Sequence, residues 1–189
     1  MLQPYIGNTK INKLYNGNEL WCNWDSSGGG EVTAIDIIKH FDVATLTGSW
    51  MDSGLKGYNN TTTKYSKTVN STCTWTFNVP LTSNYNIYVW YPYNSNNGKT
   101  CEYSIITSNK TYRVTLSQLV NGDEWRKLVI ANATEGTSIS VKLKLIVASN
   151  IRINCARIES TTEEATLETN IQDSPITDEP GETRYGGKK

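Results

Sequence analysis

The sequence predicts an all-β fold, an antiparallel β-sandwich of the jelly-roll kind. Three observations carry this: period-two apolar alternation, turn signals about every 8–12 residues, and no stretch with helical periodicity. Cys73, Trp75, Phe77 and Val79 alternate with Thr72, Thr74, Thr76 and Asn78, and Pro80 ends that strand. Tyr85, Ile87, Val89 and Tyr91 share one face, with Tyr88 and Trp90 opposite and Pro92 closing the strand. Asn97-Gly98 reads as a tight hairpin turn before a strand at 101–107. A turn at 108–110 leads into a strand at 111–119, and Asn121-Gly122 turns the chain into another at 125–131. Ile139, Val141, Leu143, Leu145 and Val147 line one face of a long strand, opposite Ser140, Lys142 and Lys144. Residues 151–158 form the closing strand, and residues 32–40, which suit a helical turn or a strand, read as a strand entering the sandwich.

Both ends differ from this body. Tyr5-Ile6-Gly7-Asn8-Thr9 is echoed by Tyr15-Asn16-Gly17-Asn18-Glu19, each copy holding a Gly-Asn pair that accepts a tight turn. Residues 1–24 are therefore expected to form a meander of three strands, around Tyr5, at 10–15 and at 19–23. Strands so short need a surface to pack on. Residues 25–34 begin Asp-Ser-Ser-Gly-Gly-Gly-Glu and read as a flexible linker. The sandwich is assigned to 35–158, and 159–189 reads as an acidic extended tail without a core of its own. The formal net charge is zero, yet the tail carries eight acidic and three basic residues while the rest carries ten and 15. A mildly basic body and an acidic tail suit either docking between molecules or a solvated tail.

Several function classes lack residues. Zero net charge and scattered basic residues argue against nucleic acid. Nothing approaches the apolar length of a membrane span, and residues 1–15 lack the pattern of a secretory signal. His40 is the only histidine and no Gly-x-Ser-x-Gly elbow exists, so nucleophilic catalysis lacks its base. Asp123-Glu124 are sequence neighbours that diverge to opposite faces, a poor pair for glycoside hydrolysis. Cys22, Cys73, Cys101 and Cys155 form no close pair and lack zinc-site spacing. Cys73, Cys101 and Cys155 share parity with apolar neighbours and read as buried thiols. No catalytic residue, metal or cofactor is expected.

Aromatic side chains are the remaining resource, six Trp and eleven Tyr. Flat rings stack on the C–H faces of sugars while Asn, Asp and Arg satisfy the hydroxyls. The candidate platform comprises Trp50, Tyr58, Trp90, Tyr91, Tyr93 and Trp125. Trp90 and Trp125 are read first as filling the sandwich, ahead of a ligand platform or a protein interface, while Tyr58, Tyr91 and Tyr93 suit a ligand or a protein interface as well as the core. Trp75 and Phe77 read as core.

The phrases Tyr88-Val89-Trp90-Tyr91-Pro92 and Asn121-Gly122-Asp123-Glu124-Trp125 followed by Leu128 resemble the golvesin-type domain, also called the xanthan-lyase carbohydrate-binding-like domain. Gly48-Ser49-Trp50 and Gly57-Tyr58 are similar to the phrases that open such domains. The resemblance spans roughly residues 35–158 and implies a β-sandwich with a binding or structural role. A second, shorter resemblance joins the Tyr-x-Gly-Asn phrases of residues 1–24 to the openings of tailed-phage structural proteins. Together they set the leading expectation: a non-enzymatic virion protein, made in the host cytoplasm, that decorates capsid or tail and binds a host-surface polysaccharide. Residues 1–24 and 159–189 would contact other virion subunits or a second copy, the acidic tail as an arm crossing onto another chain. The alternative expectation is a carbohydrate-binding module of a secreted or surface bacterial protein.

Overall fold

The computed structural model describes residues 34–172, preceded by four short strands. In chain order the strands are β1 (Tyr5–Ile6), β2 (Thr9–Lys10), β3 (Lys13–Asn16), β4 (Glu19–Asn23), β5 (Asp36–His40), β6 (Thr45–Thr47), β7 (Met51–Ser53) and β8 (Thr63–Ser66). There follow β9 (Thr72–Asn78), β10 (Ser83–Trp90), β11 (Cys101–Ile106), β12 (Thr111–Leu116), β13 (Trp125–Ala133), β14 (Ser138–Lys144), β15 (Ile151–Ile153), β16 (Cys155–Thr161) and β17 (Asn170–Gln172). The first sheet is ordered β13-β10-β16-β5-β4-β3 and the second β17-β12-β11-β14-β9-β6. A small third sheet, β15-β8-β7, lies between chain segments of the other two, and β1 pairs only with β2. The all-β sandwich is as expected. Within residues 1–24, β1 pairs with β2 and β3 with β4, both antiparallel. The β3–β4 pair extends the first sheet through the Leu20–Asp36 register. The expectations for residues 25–33 and 173–189 lie outside the described residues.

The core forms where the predicted apolar faces meet. Tyr85, Ile87, Val89 and Tyr91 join Trp75, Phe77, Tyr103, Ile105, Ile139, Val141 and Leu143 in one buried cluster. Period two explains this, because a one-residue slip of β14 would exchange Val141 and Leu143 for Lys142 and Lys144. Both lysines face outward but are half-buried, paired across strands with Thr74 and Ser104, and with Thr72 and Glu102.

Four local expectations need correction. Strand β14 stops at Lys144, so Val147 lies exposed in the following bend instead of extending the apolar face. Asn97-Gly98 is no solvent turn, since both residues are buried. Asn97 donates from Nδ2 to the carbonyls of Pro92 (2.9 Å) and Gln118 (3.0 Å), a use of the amide that local sequence cannot announce. Gly98 is required because a Cβ there would sit 2.3 Å from Ser149 Oγ. Cys155 is buried but stands outside the main core. The chain changes sheets at Asn154, so the parity it shares with Ile151 and Ile153 in sequence does not survive, and it pairs with Trp90 and His40 on the opposite face.

The tail provides the fourth correction. Residues 162–172, expected to lean on other subunits, form a strap across their own sandwich. Asn84 Nδ2 donates to the Glu163 carbonyl (2.9 Å) and Lys127 pairs with Glu163 (3.0 Å). At the free edge of β13, Ile130 N donates to Thr166 Oγ1 and Thr166 N to the Ile130 carbonyl, both at 2.8 Å. Lys110 Nζ then holds the carbonyls of Thr166 and Leu167, and β17 pairs in parallel with β12. One extended segment thus covers the last strand of each main sheet. Polar composition hid this, because the strap is held mainly by hydrogen bonds and the Lys127–Glu163 pair, with Ile171 its one side chain packed against the core.

Truncation after Thr161 is expected to lower stability by about 2–4 kcal/mol, from several hydrogen bonds at roughly 0.5–1.5 each, and to promote aggregation through the bared edges. Urea midpoints of the full and truncated chains check this; equal midpoints would make the strap passive. Burial pushes the Cys73 thiol up, and pushes Cys155 up to about 12 with a smaller contribution from Asp42. Both, with Cys101, are expected to resist thiol reagents in the native state. Cys155 should label first, through local opening of the segment above it, and Cys73 only on global unfolding. Equal labelling rates would refute that order. The Tyr85 phenol is also pushed up to about 12, by burial and, less strongly, Glu135, against a hydrogen bond to the Leu81 carbonyl. In the unfolded chain these groups ionise near ~8.5 and ~10. Their contribution to stability is therefore complete below about pH 8.5 and is lost as pH rises toward 12. Urea midpoints measured across that window should fall steadily.

Candidate functional site

The outward face of the first sheet collects aromatics that the core does not need. Trp90 and Trp125 are cross-strand partners on β10 and β13, and Tyr88 lies beside Arg157 on β16. A bulge between Ile87 and Tyr88 shifts the β10–β13 register and sets Trp125 opposite Trp90. Tyr58, from the loop before β8, closes over this pair. Its ring centroid lies 5.0 Å from that of Trp125, edge-on, and 6.4 Å from that of Trp90. Trp90 is only 8% exposed beneath it, while Tyr58, Trp125 and Tyr88 stay half-buried with surface toward solvent.

The loop that carries Tyr58 is built on one amide. Asn154 is fully buried; its Oδ1 accepts from Tyr58 N (2.8 Å) and its Nδ2 reaches the Thr62 carbonyl (2.8 Å) and Thr61 Oγ1 (3.0 Å). Gly57 allows that approach, since a Cβ there would stand 2.1 Å from Asn154 Nδ2. Asn59 and Asn60 take φ of 52° and 61°, left-handed conformations that Asn tolerates better than most side chains. His40 Nε2 lies 3.0 Å from the Thr62 carbonyl, so the only histidine helps to brace this loop.

Arg157 supplies the polar half of the site. Its guanidinium carbon lies 5.4 Å from the Tyr88 ring and 5.8 Å from the Trp125 ring. Nε and Nη2 grip both oxygens of Asp36 at 2.7 and 3.0 Å, and Nη2 also reaches Glu159 at 2.9 Å. Burial alone would push this guanidinium down, and the two carboxylates outweigh it and hold it above its ordinary range. The Tyr88 hydroxyl donates to Glu159 Oε2 (3.3 Å); burial, then Glu159, raises its phenol. Charge-assisted bonds of this kind fix ring orientation before a ligand arrives. The result is a layered aromatic surface edged by carboxylates, suited to stacking on an apolar face and accepting hydrogen bonds from hydroxyls.

Of the six candidates, then, Tyr58, Trp90 and Trp125 are brought together. Tyr91 is not on this surface; it is 1% exposed in the core, donating its hydroxyl to the Val120 carbonyl (2.9 Å). Trp50 stands at the β6–β9 edge, its Nε1 3.0 Å from the Thr47 carbonyl and 3.2 Å from that of Thr72. Tyr93 is 52% exposed, its backbone N bonded to Asp123 Oδ1, and it makes no ring contact among the described residues. Sequence reasoning missed Asp36, Asn154 and Arg157. Period two places Asp36 and Arg157 on the outward face, between Ile35 and Ile37 and between Ala156 and Ile158. Only the sheet register reveals that they meet. Among the described residues no group of three or more His, Cys, Asp or Glu is placed to hold a metal ion.

Comparison with known proteins agrees with the fold. No curated protein matches the sequence. Among solved structures, a Paenibacillus xanthan lyase superposes with a TM-score of 0.61 at 16% identity, covering 67% of this chain and 13% of that one. A Podospora anserina GH26-CBM35 β-(1,4)-mannanase gives 0.51 at 12% identity, covering 68% and 28%. A family 35 carbohydrate-binding module from Clostridium thermocellum gives 0.50 at 12% identity, covering 65% of this chain and 96% of that module. This chain therefore corresponds to a small part of the two enzymes and to nearly all of the isolated module. At such identities the likeness is one of fold. The family model described as the Golvesin C-terminal domain matches residues 36–153, well over half of the sequence, and the chain belongs to that family.

Proposed function

We propose that this chain is a non-catalytic glycan-binding module whose outward platform of Trp125, Tyr58 and Tyr88 stacks on sugar rings. The single observation that carries the reading is the edge-on contact of Tyr58 with Trp125 at 5.0 Å on a face outside the core, with Arg157 layered against Trp125. Core filling does not require this arrangement, because the main apolar cluster closes without Trp90, Trp125 or Tyr58. Asp36, Glu159 and Glu163 are placed along the same face to accept sugar hydroxyls. Nothing in the fold or its relatives supports the virion expectation, and the carbohydrate-binding alternative is the better supported. The named module from Clostridium thermocellum and the two larger enzymes suggest an accessory role beside a polysaccharide-active partner, at the cell surface or outside it. Buried thiols are compatible with that setting, since reagents reach them only through opening of the fold.

Calorimetry or affinity electrophoresis against a panel of neutral plant and bacterial polysaccharides tests the reading. One or more should bind, and Trp125→Ala or Tyr58→Ala should weaken binding about tenfold, the loss of roughly 1.4 kcal/mol of stacking. Thermal midpoints should change little, because both rings lie on the outward face. Binding that survives both substitutions would sink the platform. Asn154→Ala is expected to cost both binding and about 2–4 kcal/mol of stability, since it strands the Tyr58 N–H and several loop groups. Asn154→Ala with wild-type stability would show that the amide is not the anchor.

A further inference from the structure

An open cleft of about 400 Å³ lies against the small third sheet, lined by Ser53, Tyr65, Lys67, Asn96, Asn150 and Arg152 among others. That volume is in the range of small-ligand sites. Arg152 is its most constrained group. Nε donates to Asn97 Oδ1 (2.7 Å), Nη1 to Ser53 Oγ (2.9 Å), and the guanidinium lies 5.4 Å from the Tyr65 ring. Its backbone is fixed as well: Arg152 N donates to Gln118 Oε1 (2.8 Å), and Gln118 Nε2 to the Arg152 carbonyl (2.9 Å). Asn97 and Gln118 are themselves buried and bonded together, so the guanidinium stands on a rigid polar frame.

What this frame lacks is a negative charge. Among the described residues no carboxylate pairs with Arg152, and Nη2 has no hydrogen-bond partner. Asp52, at the same cleft, is taken by Lys64. The contrast with Arg157, held by two carboxylates, is direct. Burial lowers the Arg152 guanidinium from its ordinary range, with the nearby Tyr65 acting less strongly the other way. Lys67 adds a second positive group. Neutral hydroxyls and amides make up much of the remaining wall, and Asn150 leaves its Oδ1 without a partner.

We propose that this cleft is a second saccharide subsite that receives the carboxylate of an acidic sugar, such as a uronate, on the open edge of Arg152. A planar guanidinium with a free edge matches a carboxylate in charge and shape, and Ser53, Asn96 and Asn150 are placed to bind ring hydroxyls. The identification of the ligand as a sugar rests on the glycan-binding reading; the demand for an anion does not. The cleft therefore selects acidic units while the platform on the first sheet stacks on ring faces.

The full chain titrated with D-glucuronate, D-glucose and acetate, by calorimetry and by NMR shifts of the Arg152 and Asn150 side chains, tests this. Glucuronate should saturate the cleft, glucose should not, and acetate should bind at least tenfold more weakly. Arg152→Gln should reduce glucuronate affinity at least tenfold. Because that change disturbs the polar frame, Ser53→Asp serves as a second variant: it supplies the missing counter-ion inside the fold. It should abolish glucuronate binding while keeping or raising the thermal midpoint. Undiminished glucuronate binding in both cleft variants, or acetate binding as tightly as glucuronate, would overturn the proposal. If no neutral polysaccharide binds the wild type while glucuronate binds through Arg152, the platform reading fails and this one stands.

Discussion

The buried amide of Asn154 is the constraint on which the rest of the arrangement depends. At this residue the chain leaves β15 in the small sheet and enters β16 in the first main sheet, and every polar group exposed by that change must be satisfied in the absence of water. The Asn154 carbonyl accepts from Phe41 N (2.8 Å), and its side chain ties down Tyr58, Thr61 and Thr62. One residue thereby fixes the turn after β5, the loop that carries Tyr58, and the direction of β16. Arg152 precedes it by two residues and Arg157 follows by three, so the two guanidiniums are set on either side of the same junction.

Those two arginines show how neighbours decide the use of a charge. Arg157 is gripped by Asp36 and Glu159 and layered against Trp125 and Tyr88, so its charge is spent on holding rings in place. Arg152 is held as firmly, but by neutral acceptors, and no carboxylate among the described residues pairs with it. Preorganised groups of either kind lower the ordering cost of binding. On the two proposals above, the first would receive apolar faces of a ligand and the second an anion.

The strap of residues 162–172 solves a different problem. Two six-stranded sheets present open edges, and bare edges recruit other strands. Thr166 occupies the backbone of Ile130 on β13, and Asn170–Gln172 occupies that of β12. One edge of each sheet is thus covered by the chain itself. The acidic residues of the strap take part, since Glu163 binds Lys127 beside the Trp125 strand.

The fold class, the inward faces of β9, β10 and β14, and the burial of Cys73 and Cys101 were legible in the sequence, because period two is a local property that burial rewards strand by strand. The turn at Asn121-Gly122 was legible too, since Asn tolerates the positive φ taken at Asn121 (53°), while Gly122 is needed for the close approach of Tyr93, whose Cα would lie 2.6 Å from a Cβ there. The site was legible only as a pool of aromatics. Alternation assigns Trp90, Asp36 and Arg157 to outward faces but says nothing of which strands lie side by side; it puts Trp125 on the parity of buried Val129 and Ala131, and only the bulge after Ile87 brings it opposite Trp90. Tyr91 was misplaced because its hydroxyl finds a carbonyl inside the core, and Asn97-Gly98 because a turn dipeptide and a buried amide look alike in one dimension. Register, the change of sheet at Asn154 and the course of the strap are set by hydrogen bonds between residues far apart in the chain, and for that reason only the tertiary structure decided them.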